Sequence, residues 1–475
     1  MLQNVFFGKR GQSLVSLLMF VMGIMANAQC SLTGWKKFSQ TEQSSIAVKE
    51  DGTIWMWGNN TNGIKGDDTN GGLVKHPTQI GTASDWVDIA AGRFFALALK
   101  ANGDLYGWGD NVNGNLAIGN NTDQYAPVKI AENVKSFSAG YHHTTIVKTD
   151  GTLWGAGYND WGGLGMGTSQ ASYNTWQQES SKATDWAKTS AGYYNSFGIK
   201  TNGTLWSAGT NLEGQTGTGA TSGESDVFVQ VGTDTNWQDV SCGVYHVLAL
   251  KTTGKVFGWG YSANGRLGIV GAGAQYFRTP QAVDAASTYK QIATSWDASA
   301  LIKADGTFYA MGANHNGIIG STAGDTNNLA PQQVGTSNNW KNLALRVGGF
   351  HFGAVQNDGS LWAWGADNLY QLGNTDGTTA DSYVPTQVTC EDGQLAVSNV
   401  SANTKITVYP NPAKDMIQIK SAQKSEDVKI YSANGTLVKS ATVENGQALN
   451  VSELPAGVYF IKTQNDAKGI KLIKK

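Results

Sequence analysis

Three of the chain's six histidines, His143, His246 and His351, each follow a glycine (Gly140, Gly243, Gly348) by three residues. Imidazoles at matched positions are candidate ligands for zinc, which takes nitrogen donors at about 2.0–2.1 Å. Just ahead of these positions stand residue pairs rich in aromatic rings. They are Arg93-Phe94, Tyr141-His142, Tyr193-Tyr194, Val244-Tyr245, Trp296-Asp297 and Gly349-Phe350, with Glu42-Gln43 in a divergent first copy. Aromatic faces with interspersed charge suit a protein partner, and the same rings stack on sugars or bases. The acidic run Asp67-Asp68-Thr69-Asn70-Gly71 has the composition of a calcium loop. It lacks the terminal bidentate Glu and reads as a solvated turn. The chain has no nucleophile elbow, Walker loop or zinc-binding helix, so no cofactor is implied and a scattered hydrolase set is the minority reading.

The elements that must position these groups are written in a recurring word. Lys148-Thr149-Asp150-Gly151-Thr152-Leu153-Trp154-Gly155-Ala156-Gly157 returns, with variation, at turn glycines Gly52, Gly103, Gly203, Gly254, Gly306 and Gly359. Successive spacings are 51, 48, 52, 51, 52 and 53 residues, the mark of a repeat architecture. Asp-Gly or Asn-Gly between alternating apolar residues predicts a β-hairpin with a two-residue type I′ turn. A short strand such as Val87-Asp88-Ile89-Ala90-Ala91 precedes each hairpin, and a Pro-containing strand such as Pro127-Val128-Lys129-Ile130 follows it. Four antiparallel strands per repeat, seven repeats and no helical period predict an all-β chain: a seven-bladed β-propeller over 29–392. On such a ring the three histidines belong to the third, fifth and seventh blades at equal radii, so they do not converge on one ion. The hairpin tryptophans are blade packing.

The ends of the chain carry different instructions. Lys9 and Arg10, the apolar stretch Leu14 to Met25 and the small-residue site Ala26-Asn27-Ala28 before Gln29 predict a signal peptide over 1–28, cleaved between Ala28 and Gln29. The rival, a lipoprotein signal acylated at Cys30, is opposed by Gln29 where a small residue is wanted. No later stretch is apolar and long enough for a transmembrane helix. Of the net charge of −2, residues 1–28 hold +2 and residues 401–475 hold +5, which leaves −9 on 29–400. An acidic propeller argues against a nucleic-acid partner. Cys30 and Cys390 flank the repeats, and a disulfide between them would tie the ring's ends. The alternative is three thiols; Cys242 reads as a small buried side chain.

The A-G-x-x-x, D-G-T-L-W-x-W-G and N-x-x-G-x-L-G words, the last at Asn111 to Gly114, Asn159 to Gly165, Asn211 to Gly217 and Asn314 to Gly320, resemble regulator of chromosome condensation repeats. That resemblance implies a seven-bladed propeller with His143, His246 and His351 in hydrogen bonds between blades. It also implies a loop face on which Arg93, Phe94, Tyr141, His142, Tyr193, Tyr194, Tyr245, Trp296, Asp297 and Phe350 hold a partner. Such families include exchange factors, a plant photoreceptor and β-lactamase inhibitors; the export signal removes the first, and the G-W-R-H-T words of the second are missing. The same aromatics could instead pack between adjacent blades. After a linker over 393–402, residues 403–475 turn Lys-rich and Trp-free, with words V-Y-P-N-P from Val408, N-G-T-L-V from Asn434 and L-P-A-G-V-Y-F-I-K from Leu454. They read as a small β-sandwich and resemble the C-terminal sorting domain of the type IX secretion system. The combined expectation is a secreted or surface-displayed scaffold for an extracellular protein, or a glycan-binding adhesin, delivered by the secretion machinery.

Overall fold

The repeated word folds because its side chains satisfy one another. In the copy at 150–154, Asp150 Oδ1 accepts the Thr152 N–H at 3.0 Å and its hydroxyl at 2.6 Å, and Thr152 Oγ1 accepts Trp154 Nε1–H at 2.7 Å. The same chain of bonds recurs at Asp51-Thr53-Trp55, Asn202-Thr204-Trp206 and Asp358-Ser360-Trp362. A carboxylate or amide two residues before a hydroxyl thus fixes both the turn and the first tryptophan. The turn itself corrects the type I′ expectation. Only the glycine has positive φ, and Gly52 N–H bonds back to Lys49 O while Lys49 N–H bonds to Thr53 O. This is a type I turn closed by a left-handed glycine, chosen because the Asp side chain bonds its own loop in ordinary φ/ψ.

A computed structural model describes residues 31–390 and 407–475, apart from 169, 222, 322–326, 344–348, 375–378, 421–424, 433–435, 445 and 464–465. The expected signal peptide with Ala28 and Gln29, Cys30, Gly348 and the linker lie outside the described residues. In the first blade β1 (Trp35–Gln40), β2 (Ser44–Lys49), β3 (Ile54–Asn59) and β4 (Leu73–Gln79) pair antiparallel in chain order. Six more contiguous four-stranded sheets follow, spanning 86–131, 134–178, 186–230, 237–283, 289–333 and 340–387. Among the described residues no strand is exchanged between the first and the last.

The ring closes with the bonds that join every other pair of blades. The carbonyl of each turn glycine accepts an N–H from the innermost strand of the next blade: Gly52 from Trp86, Gly103 from Val134, Gly151 from Trp186, Gly203 from Trp237, Gly254 from Tyr289 and Gly306 from Trp340. The seventh, Gly359, accepts from Trp35 at 3.0 Å. A second tie comes from the later hairpin tryptophan, whose indole N–H reaches the preceding blade: Trp108 to Ile64 O, Trp259 to Gln215 O, Trp364 to Ile318 O, and Trp57 to Gln371 O across the closure. Apolar packing runs between sheets rather than in one central core. Trp35, Phe38 and Trp57 of the first blade are buried with Trp340, Phe352 and Trp364 of the seventh. Each such ring contributes roughly 2–3 kcal/mol by area.

Residues 390–475 form a separate unit. Strands at 407–409, 416–420 and 448–450 make one antiparallel sheet, and strands at 425–432, 437–444, 457–463 and 466–474 make another. Ile417, Ile419 and Leu449 from the first share one buried cluster with Val428, Ile430, Ile461 and Leu472 from the second. Cys390 is disulfide-bonded and Cys242 is a buried thiol. Among the described residues no helix is long and apolar enough to cross a membrane.

Candidate partner-binding face

The loops joining the first and second strands of each blade gather at one end of the ring, with the loops that follow the third strands. Neighbouring loops are laced by backbone bonds: Glu42 N–H to Arg93 O, Arg93 N–H to Tyr141 O, and Tyr141 N–H to Gly192 O. The lacing turns the first residue of each pair toward the axis. Tyr141 and Tyr193 meet with ring centroids 4.1 Å apart, and Trp296 lies 5.9 Å from Tyr193 and 6.4 Å from Tyr141. Tyr141 and Trp296 belong to the third and sixth blades, as far apart as a seven-membered ring allows. Their contact closes the axial channel on this face. Phe350 stacks on Trp296 at 6.1 Å, while Arg93 lies over Phe94 and Tyr141 and pairs with Glu42 at 2.7 Å.

Of the second residues, His142, Tyr194 and Tyr245 point to the rim. Tyr194 packs on Tyr158 and Trp161, and His142 also meets Tyr158. Tyr245 covers Arg266, whose side chain is 3% exposed and bonds Asp297 at 2.9 Å. These contacts correct the expectation of an open ring of exposed aromatics. Tyr141 is buried, and of the ten predicted contact residues Phe350 is the one classed as exposed, at 38%. The rings do pack between adjacent blades, Tyr141 on Tyr193, Tyr158 on Tyr194 and Trp296 on Phe350, and Tyr141, Tyr193 and Trp296 also meet across the ring because joining apolar faces removes them from water. Phe350 borders a cleft of about 310 Å³ with Glu42, Gln43, Asn316, Leu369 and Gln371.

The rim carries residues that the sequence reading passed over. Asn111 Oδ1 accepts the Leu116 N–H and its Nδ2 donates to Asn120 O, so this side chain folds inward and the next residue is thrust out. Val112 is 62% exposed, and Leu212, beside the equivalent Asn211, is 58% exposed. The signal was legible as an apolar residue directly after the Asn of the second glycine word. Burial, then Arg93, pulls His142 down to about 4, and burial, then Asp123, pushes Asp110 up to about 6. Burial first, then a hydrogen bond to Tyr193, raises Tyr194 to about 12. At neutral pH His142 is therefore uncharged, and the face carries the Glu42–Arg93 and Arg266–Asp297 pairs together with the Asp110 carboxylate.

His143, His246 and His351 bond serines of the next blade: Ser196 at 3.0 Å, Ser299 at 2.8 Å and Ser45 at 3.0 Å. They are blade ties, the last of them across the ring closure. Among the described residues no group of three or more His, Cys, Asp or Glu could hold a metal ion.

Residues 27–349 match the RCC1-like domain, 358–409 the regulator of chromosome condensation repeat, and 407–475 the secretion system C-terminal sorting domain. The Xenopus laevis regulator of chromosome condensation is 26% identical over 368 residues, which cover 70% of this chain and 84% of that protein. The Arabidopsis thaliana ultraviolet-B receptor is 29% identical over 240 residues, 49% of this chain. The chain spans 54% of that receptor's length and 18% of a human probable E3 ubiquitin-protein ligase to which it is also similar. Among solved structures, human WBSCR16 superposes with a TM-score of 0.62 at 20% identity, covering 71% of this chain and 94% of that one. Saccharomyces cerevisiae Prp20p gives 0.61 at 17% identity, with 78% and 90% covered. The sorting domain addresses the protein to type IX secretion, and hence to the cell surface or the medium. With its seven laced blades and a family match over most of its length, the chain belongs to the RCC1-like domain family.

Proposed function

We propose that this exported propeller is a binding scaffold that seats a protein partner on the loop face around Phe350, without chemistry of its own. The observation that carries the reading is the pairing of a locked aromatic floor with exposed apolar groups on the same face: Val112, Leu212 and Phe350. Rigid aromatic anchors ringed by apolar and paired-charge groups are what protein interfaces use at their centres. A sugar stacking on Tyr193, Tyr194, Tyr245 or Trp296 is less well served, because the Tyr193 ring is already engaged by Tyr141 and Trp296, and Tyr194 by Tyr158 and Trp161. Proteins of similar fold fit a recognition role: Saccharomyces cerevisiae Prp20p has binding properties to Gsp1p and histones, and Kap60 binds the same yeast protein. The test is cross-linking capture of surface and secreted proteins by the full chain beside a Val112→Ala, Leu212→Ala, Phe350→Ala variant. Loss of capture by roughly tenfold or more, about 1.4 kcal/mol, with an unchanged melting point is expected. Undiminished capture would move the site elsewhere.

A further inference from the structure

At the hairpin end of the ring, opposite the loop face, six blades share one device. A lysine at the end of the second strand lays its ammonium against aromatic rings: Lys49 on Trp35 and Trp55, Lys100 on Trp86 and Tyr106, Lys148 on Trp154, Lys200 on Trp186 and Trp206, Lys251 on Trp237 and Phe257, Lys303 on Tyr289 and Tyr309. In the seventh blade the aromatic pair is kept: Trp340 and Trp362 lie 6.3 Å apart at 77°, against 6.1 Å and 77° for Trp35 and Trp55. The lysine is not. Gln356 stands in its place, drawn aside toward Ser337 Oγ at 3.4 Å. Lys100 and Lys200 also pair with Asp85 and Asp185, directly before Trp86 and Trp186, whereas the residue before Trp340 is Asn339, as Asn133 and Asn236 stand before Val134 and Trp237.

Where the lysine is lost, a groove of about 520 Å³ opens between the sixth and seventh blades. Trp340 and Trp362 lie against Gln332, Gln333, Gln356 and Ser337, and no charged side chain lines it among the described residues. Trp340 Nε1 is buried without a partner. Trp35, Trp86 and Trp237 share that feature, so the indole alone does not single out this blade. The comparison with the fourth blade shows what could satisfy it. There Trp186 Nε1 donates to Glu179 Oε1 at 3.3 Å, and the residue at the position of Glu179 in the sixth blade is Val334, which lines the groove. An oxygen acceptor supplied from outside would take the place of that carboxylate.

We infer that this groove is a binding site for a neutral glycan. The volume lies in the range of small-ligand sites, which are mostly apolar with a few placed polar groups. The half-buried Trp362 ring, backed by the buried Trp340, offers an indole face to the C–H side of a sugar ring, and primary amides both donate and accept, as vicinal hydroxyls require. A cationic ligand would find the ring faces but no anion, and an acidic one no cation.

The test uses the full chain, an array of neutral hexose oligosaccharides, choline as the cationic probe and a galacturonate oligomer as the acidic one, with tryptophan fluorescence titration of every hit. Neutral oligosaccharides are expected to bind and to change the emission. Gln356→Lys, which restores the residue of the other six blades, should lower that affinity by tenfold or more while the melting point holds. Should Gln356→Lys fold poorly, the exposed Gln332→Ala and Gln333→Ala pair must show the same loss. Binding of no neutral oligosaccharide, preference for choline or galacturonate, or equal affinity in the variants would overturn the assignment.

Discussion

Gly203 sits at φ +78° with the Thr235 carbonyl oxygen 2.1 Å from where a Cβ would be, so its conformation and its neighbour both demand the absence of a side chain. Gly203→Ala is expected to cost about 2–4 kcal/mol, strain plus displacement of the next blade's linker. Gly271→Ala, at φ +76° with open space around it, should cost about 1 kcal/mol. Urea midpoints of the two variants check the contrast. Protonation acts at the same scale. Burial holds His351 at about 3 and His246 well below its ordinary value, and burial with Arg93 holds His142 at about 4. The unfolded chain takes those protons near pH 6.5, so this stability is complete above about 6.5 and is lost as pH falls toward the folded values. The slope approaches about 1.4 kcal/mol per pH unit for each histidine. Asp110, raised to about 6, acts in the opposite sense: its contribution is present below about 3.9 and is lost as pH rises through 6. Burial raises Asp239 in the same direction as Asp110, and with three histidines against these two aspartates unfolding midpoints should fall between pH 7 and pH 5, and His351→Gln should flatten the fall. A midpoint that rises over this window would contradict the burial of these rings.

The element that holds one blade to the next is the second hairpin strand with its turn, where the turn glycine carbonyl before the third strand and a tryptophan N–H within it reach opposite neighbours. Trp259 donates to Gln215 O at 2.7 Å from a fully buried ring. Trp259→Phe leaves that carbonyl without its donor and a smaller ring in the layer, and should cost about 1–3 kcal/mol in thermal unfolding. Val112→Ser, on a rim position 62% exposed, should leave the midpoint within about 0.5 kcal/mol. The hairpins, their spacing and the fourth strands were readable because period-two alternation and Asp-Gly or Asn-Gly turns are local signals. The turn type was not, since it depends on whether Asp150 bonds its own Thr152, a contact that dipeptide preference does not distinguish.

At the scale of the molecule, closure needs no exchanged strand, and the bonds between the seventh and first blades repeat those found elsewhere: Trp35 N–H to Gly359 O, Trp57 to Gln371 O and His351 to Ser45. The disulfide at Cys390 is an addition to a ring already joined, and peptide mapping without reductant is expected to find it joined to Cys30. By loop entropy such a link would contribute about 6 kcal/mol at most, read as a lower midpoint in Cys390→Ser. Deleting 407–475 should leave propeller melting unchanged, because that unit has its own buried cluster, while cell fractionation finds the truncated chain retained inside the outer membrane. Arrival of the truncated chain at the surface would refute the address.

Sequence alone determined the number of blades, their strand order and the two units, because repeats, alternation and turn glycines are written within a few tens of residues. It also placed the aromatic pairs and the three histidines on loops of known register. Tertiary structure decided what those residues do. Whether Tyr141, Tyr193 and Trp296 stand apart or meet over the axis depends on ring radius and on bonds between neighbouring loops, neither of which is encoded near them. The exchange of Lys for Gln356 was visible in the seventh copy of the word, yet its meaning was not. Only in the folded ring does that position prove to be the cover of an aromatic pair, and only there does its loss coincide with a groove.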